Sequence, residues 1–305
     1  MNKNLFITAH PAPWESASEK ELRKVKGVCL DIDDTLSTHG KLTAEAYQAL
    51  WNLKNAGFFV VPVTGRPAGW CDHFARFWPV DAIIGENGAF IFYMHEGKRK
   101  RLDTLGAAAG TEVTRKQNLE ELGIKILARY PFAKWASDQS YREYDLAIDI
   151  CEDVQAWKSE DVQGLLELCH AQGAKAKLSS IHVNAWFGEF DKRKGFENWM
   201  KLGYPGLENA RGPDSTVLAL PAENEWLFIG DSPNDEPLFA TFEFSVGVAN
   251  LKKYLSPQTQ TQNSSQNPAQ PPALTHPPRW LTQAESGAGF VQMSDRLVAL
   301  RKARG

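Results

Sequence analysis

Long apolar runs are missing from this sequence: no window approaches the roughly 20 residues that a helix needs to cross a bilayer, so no membrane partner is expected. Cysteine is scarce. Cys29, Cys71, Cys151 and Cys169 lie far apart, with neither metal-type spacing nor the density of a disulfide scaffold, and they read as free thiols in a reducing compartment. An excess of positive charge is missing too, since 34 Lys and Arg stand against 37 Asp and Glu, a net charge of -3 that gives no basic footprint for nucleic acid. The first residues offer only Leu5-Phe6-Ile7 before a polar stretch, too short for the apolar core of a signal peptide. A cytoplasmic protein with a small-molecule partner is the expectation.

What the sequence does have is Val28-Cys29-Leu30-Asp31-Ile32-Asp33-Asp34-Thr35-Leu36, an apolar run that ends in carboxylates. It reads as a buried strand emptying into a loop at its carboxyl end, where open α/β sheets carry their chemistry. If extended geometry persists, residues two apart share a side, so Asp31 and Asp33 converge while Asp34 points elsewhere. Converging carboxylates want a cation. Seen alone, such a loop start serves as a helix cap or Asx-turn about as often.

Along the chain, residues 1–26 form a polar leader with no sign of chemistry. Thr43 caps an expected helix over 44–56, and Phe58 to Val63 reads as a strand buried on both faces, which completes a βαβ unit. That strand ends in Thr64-Gly65-Arg66-Pro67, and a third, over 82–84, ends in Gly85-Glu86-Asn87-Gly88. From 89 to 189 the pattern changes to a hairpin and then helix and paired strands twice over, an α+β module inserted into the α/β sheet. The α/β pattern resumes with a helix from Gly195 and a strand over 226–229 that runs into Gly230-Asp231-Ser232-Pro233-Asn234-Asp235. Residues 256–278 hold almost nothing apolar and are expected to form a mobile surface loop, before a terminal helix from Ser294.

The four strand-end clusters, Asp31 with Asp33, Thr64, a lysine within 192–194, and Asp231 with Asp235, resemble in order and context the motifs of the haloacid dehalogenase-like (HAD) phosphohydrolases. The resemblance is closest to subclass IIB, whose Cof-type and sucrose-phosphatase-like members carry a large α+β cap. It implies a Rossmann-like core over 27–88 and 190–305, with a mainly parallel sheet, and a C2B-type cap over 89–189. It also implies Mg²⁺-dependent phosphomonoester hydrolysis, through an aspartyl-phosphate, of a sugar phosphate or similar small phosphorylated metabolite.

The residue types suit that chemistry. A carboxylate attacking a phosphoryl group meets like-charge repulsion of roughly 4 kcal/mol per charge pair at 4 Å in an effective dielectric near 20, and a cation must offset it. Oxygen ligands and phosphate suit Mg²⁺. On the resemblance, Asp31 is nucleophile and metal ligand, Asp33 is acid/base and lends a backbone carbonyl to the metal, and Asp231 and Asp235 complete the metal set. Thr64 and a lysine would hold the phosphoryl oxygens. Lys194, in a Lys-Gly pair at a helix start, is favoured over Lys192, which is kept as a substrate contact with Thr64, Gly65, Arg66, Asn87 and Asn234. Asp34 stands where the family commonly has glycine. A phosphosugar mutase and a non-catalytic sugar-phosphate sensor remain as alternatives.

Overall fold

The computed structural model describes residues 10–104, 112–179, 181–203, 221–255 and 274–303. Most of the expected 256–278 loop lies outside the described residues. The described part of the leader is docked on the body. Strand β1 (Ala12–Pro13) and the short helix α1 (Glu19–Leu22) flank Trp14, which is buried edge-on against Trp280 with ring centroids 5.9 Å apart. An indole and Leu22 within a charged stretch were enough apolar surface to anchor it.

Next come β2 (Gly27–Leu30), α2 (Ala44–Asn55), β3 (Phe59–Pro62), α3 (Ala68–Phe77) and β4 (Ile83–Gly85). Thr43 caps α2 as expected, its Oγ1 accepting the Ala46 N–H at 3.2 Å. The hairpin of β5 (Phe90–His95) and β6 (Lys98–Asp103) departs from the expected boundary. It pairs antiparallel with β4, and Ile91 and Tyr93 pack among Val61, Trp199 and Phe228, so it extends the core rather than opening the insert. The alternation of apolar residues in β5 fits a strand with a covered face whichever domain covers it, so the pattern could not assign the hairpin.

The insert proper comprises α4 (Glu112–Arg129), β7 (Lys134–Trp135), β8 (Asp145–Asp149), α5 (Ser159–Ala171), β9 (Lys175–Leu178) and β10 (His182–Trp186). Its strands form a separate antiparallel sheet in the order β7-β8-β10-β9. Leu122 and Ile126 of α4 and Leu165 and Cys169 of α5 pack on it, which is why both helices show apolar residues at helical spacing. Trp186 is buried and donates from Nε1 to the Phe190 carbonyl at 3.1 Å.

The chain returns through α6 (Lys192–Lys201), β11 (Trp226–Gly230), α7 (Glu236–Phe239), β12 (Phe244–Gly247), β13 (Trp280–Leu281) and α8 (Ser286–Lys302). The core sheet is parallel throughout, in the order β1-β13-β12-β11-β2-β3, with Val63 bridging in parallel to Ile84. Strand β2 lies between β3, which follows it in sequence, and β11, which arrives after the insert. That reversal of strand order opens a crevice at the carboxyl edge. No described helix is long and apolar enough to cross a membrane.

One contact fixes the rim of the crevice. Gly88 has φ +104, and a Cβ there would stand 2.1 Å from the Asp191 carbonyl oxygen, while a Cβ on Gly195 would stand 2.7 Å from the Gly88 Cα. The turn after β4 therefore packs backbone to backbone against the start of α6. Gly88→Ala is expected to destabilise the fold by roughly 2 kcal/mol or more, through a left-handed φ and a backbone clash together. Urea unfolding checks this, and a loss within about 0.5 kcal/mol would mean that the two segments part easily.

Candidate active site

The Asp31 N–H donates to the Ile229 carbonyl at 2.9 Å, so this residue still belongs to the sheet, and it is buried. The chain then turns sharply. The N–H groups of Leu36 and Ser37 both reach back to the Ile32 carbonyl at 2.9 Å. Asp34 takes φ +54, a conformation that glycine adopts freely and Asp tolerates better than most residues. Asp31 and Asp33 both line the cavity between core and insert, and their carboxylates take different partners, Lys192 for Asp31 and Arg66 for Asp33.

Asp31 meets Asp231 and Asp235 from the end of β11. Oxygen atoms of the three lie within 4.8 Å of one another, and all three residues are buried. Lys192 is shared between two of them, its Nζ donating to Asp31 Oδ1 and to Asp235 Oδ1 at 2.7 Å each. Asp235 Oδ2 accepts the N–H groups of Asp231 at 3.1 Å and Ser232 at 3.3 Å. Asp231 accepts from Thr35 Oγ1 at 3.4 Å and from Asn250 Nδ2 at 3.3 Å.

Burial pushes the Asp31 carboxyl up to about 7, against the pull of Lys192. Burial, and then the charges of Asp31 and Asp235, push Asp231 well above the usual carboxylate range. Burial also works against the charge on Lys192, but Asp235 and Asp31 outweigh it and raise its pKa. Three carboxylates around one ammonium leave two negative charges when all are ionised. A buried, oxygen-only donor set with that surplus fits a hard divalent cation such as Mg²⁺.

The lysine choice is corrected. Lys194, favoured from the Lys-Gly pair, is turned outward, with its Nζ 3.6 Å from the exposed Glu189 carboxylate. The reason lies in where α6 starts. Asp191 caps the helix, accepting the Lys194 N–H at 2.8 Å, so the first helical residue is Lys192 and not Gly195. The buried face of α6 is then Lys192, Gly195, Phe196 and Trp199, residues spaced as one face of a helix must be. That spacing was present in the sequence, since Phe196 and Trp199 share a phase with Lys192, whereas Lys194 shares one with Asn198 and Lys201.

Thr64, at the end of β3, is fully buried, and its Oγ1 accepts the Arg66 N–H at 3.0 Å, which leaves its own proton for another acceptor. Asn87 is buried against Gly65 with a φ of +55, and its Nδ2 has no partner among the described residues. Asn234 Oδ1 accepts from Ser232 Oγ at 2.7 Å at the opposite rim.

Arg66 is buried and links core to insert. Its Nε donates to both Asp33 oxygens at 3.0 Å, and its Nη2 donates to Asp33 Oδ1 at 2.8 Å and to Glu152 Oε1 at 3.0 Å. A second buried arginine, Arg142 of the insert, donates to the Gly65 carbonyl at 2.9 Å and to Asp138 and Asp145. From the core, Glu86 accepts the insert N–H groups of Glu143 at 3.0 Å and Tyr144 at 2.6 Å. Burial and then Asp145 raise Glu86 to about 8, so these donors hold a carboxylate whose charge is costly. The sequence reading gave no role to Arg142, Glu86, Glu152 or Asn250. Glu86 and Glu152 left a signal, since Gly85-Glu86 closes the strand over 82–84 and Ile148-Asp149-Ile150-Cys151-Glu152-Asp153 is also an apolar run emptying into carboxylates.

Between core and insert, Asp31, Asp33, Arg66, Arg142, His182 and Asn184 help to line a cavity of about 10 Å³. That is room for about one water. The insert thus covers the carboxyl edge of the core sheet.

Comparison with known proteins agrees with this architecture. Residues 28–120, which carry the Asp31 loop, Thr64 and the Glu86–Gly88 turn, match the family described as haloacid dehalogenase-like hydrolase. A search of curated proteins gives no match. Among solved structures, protein 0175 of Thermoplasma acidophilum aligns at 15% identity with a TM-score of 0.61, covering 90% of this chain and 99% of its own. A haloacid dehalogenase-like hydrolase from Bacteroides thetaiotaomicron aligns at 13% identity and 0.55, covering 90% and 99%. The sucrose-phosphatase of Synechocystis sp. PCC6803, solved with sucrose and phosphate, aligns at 16% and 0.53, covering 89% and 97%. The fold is thus that of a haloacid dehalogenase-like core carrying an inserted cap, as the resemblance implied.

Proposed function

We propose that this protein is a Mg²⁺-dependent phosphomonoester hydrolase acting on a sugar phosphate or similar small phosphorylated metabolite. The observation that carries the reading is the buried cluster of Asp31, Asp231, Asp235 and Lys192, at the carboxyl edge beside Thr64. Asp31 attacks phosphorus, and the bond to the leaving oxygen breaks as Asp33 gives that oxygen a proton. Water then attacks the aspartyl-phosphate, Asp33 takes the water proton, and phosphate departs with Asp31 regenerated. Lys192 and the Thr64 hydroxyl bind phosphoryl oxygens, and Asn87 Nδ2 supplies a further donor. Asp31, Asp231 and the Asp33 carbonyl would hold Mg²⁺, with Asp235 beside them, and the ion would offset the charge gathered between nucleophile and phosphate.

The solved sucrose-phosphatase supports a sugar phosphate as the substrate class. Hydrolysis is favoured over phosphosugar mutation by the charge of the cap. Both arginines that line the cavity are already paired with carboxylates, so they offer little surplus charge to a second phosphate. Buried free thiols at Cys29, Cys71 and Cys169 support a cytoplasmic setting.

The test is phosphate release over a panel of hexose, pentose and disaccharide phosphates with Mg²⁺ and with EDTA. Turnover with Mg²⁺ that falls by at least about 100-fold in EDTA is expected, given the weight of electrostatic stabilisation in such sites. Equal turnover in EDTA would overturn the metal assignment. Saturable binding without turnover would make the protein a sensor.

A further inference from the structure

Resting on the hydrolase reading and its Mg²⁺ site, we infer that Asn250 is a positioning residue that holds the Asp231 carboxylate and the Asp33–Asp34 loop in place for the cation.

Asn250 reaches both loops from a third segment. It lies just beyond β12, where the Ala249 N–H donates to the Ala284 carbonyl at 3.1 Å and the Leu251 side chain is fully buried, so its backbone is braced on both sides. Both ends of its amide are engaged. Nδ2 donates to the Asp34 carbonyl at 3.0 Å and to Asp231 Oδ2 at 3.3 Å, and Oδ1 accepts the Ser286 N–H at 3.2 Å. Turned over, the amide would set its oxygen against two acceptors and its nitrogen against a donor, so its partners fix one orientation.

What it holds includes two members of the metal set. The Asp34 N–H donates to Ser37 Oγ at 3.1 Å and the Asp34 carbonyl is taken by Asn250, so the peptides on either side of Asp34 are both fixed. The first of these peptides carries the Asp33 carbonyl. The left-handed φ of +54 at Asp34 is one that residues other than glycine seldom adopt, and these two bonds hold the chain there. At Asp231 each carboxylate oxygen receives one neutral donor, Thr35 Oγ1 on Oδ1 and Asn250 Nδ2 on Oδ2. Each oxygen thus keeps a lone pair and its charge for a cation. Hydrogen bonds made from behind to metal-holding groups set the direction in which those groups point, and with it the affinity of the site.

The test is calorimetric binding of Mg²⁺, and separately of Ca²⁺, to wild type and Asn250→Ala with no substrate present. Mg²⁺ demands near-ideal octahedral placement of its ligands, whereas Ca²⁺ accepts irregular sets, so misplaced ligands weaken Mg²⁺ the more. The Mg²⁺ dissociation constant is expected to rise by about 10- to 100-fold and that of Ca²⁺ by no more than about 3-fold. Asn250→Ser, whose hydroxyl can still donate, should show the same preference with a smaller loss of Mg²⁺ affinity, and it carries the test if the alanine variant fails to fold. Equal losses for the two ions would make Asn250 a general brace of the fold, and an unchanged Mg²⁺ constant would mean that Asp231 and the Asp33 loop hold their places without it. Either result overturns the inference and leaves the hydrolase standing. A wild-type protein that binds no Mg²⁺ overturns the inference together with the metal reading.

Discussion

Asp31→Asn is expected to lower phosphate release by about four orders of magnitude or more, the scale seen when a nucleophile is removed from an intact site. The amide oxygen can still accept from Lys192, so the fold around it survives, but an amide nitrogen and a neutral carbonyl cannot open the phosphoryl transfer. The same substitution should raise the melting temperature at pH 8 without Mg²⁺. The sign follows from the raised Asp31 carboxyl: its contribution to stability is complete below its unfolded value of 3.8 and is lost as pH rises through about 7. At pH 8 the ionised group costs stability, and asparagine removes that cost. Phosphate release and thermal melts at pH 5 and pH 8 check both halves. Turnover above about 1% of wild type would end the nucleophile assignment.

Lys192→Met is expected to reduce kcat by about 1000-fold, while Lys194→Met stays within about 3-fold of wild type, since only the former removes a positive charge aimed at the reacting groups. The first substitution also strands buried carboxylates, and breaking such a pair from one side costs about 3–5 kcal/mol. Much of that loss should return on adding Mg²⁺, because a bound cation stabilises the folded form by mass action. Melts of the two variants with and without Mg²⁺, beside their kinetics, separate a lost phosphate contact from a weakened fold. A strong loss of activity in Lys194→Met with Lys192→Met unharmed would reverse the geometry now assigned to α6.

The parts of the site that were legible in the sequence sit where backbone periodicity ends in a chemical residue. Asp31, Thr64 and Asp231 each close an apolar run, and a parallel sheet must bring such ends to one edge. Lys192 was legible in principle, because Phe196 and Trp199 set the buried phase of α6, but the Lys-Gly pair drew attention to the wrong phase. The separate partners of Asp31 and Asp33 were not legible, since Lys192 and Arg66 reach them from distant parts of the chain. The pairings of the core–cap network were not legible either: Arg66 and Glu152 each follow an apolar run, but Asp138 and Arg142 lie in a polar stretch, and only tertiary packing brings the four together. The hairpin was legible, but neither the domain it joins nor the docking of the leader was, because a short apolar pattern shows that a face is covered, not what covers it.

The sheet also bears on how the chain reaches this form. The bond from the Asp31 N–H to the Ile229 carbonyl joins residues on opposite sides of the whole insert, so the core closes only after the later strands exist. Contacts of such long range slow folding, whereas the cap, contiguous in sequence and with its own apolar cluster, can organise early. The charges are gathered as the core closes, since Asp31, Lys192, Asp231 and Asp235 leave water together when β11 joins β2.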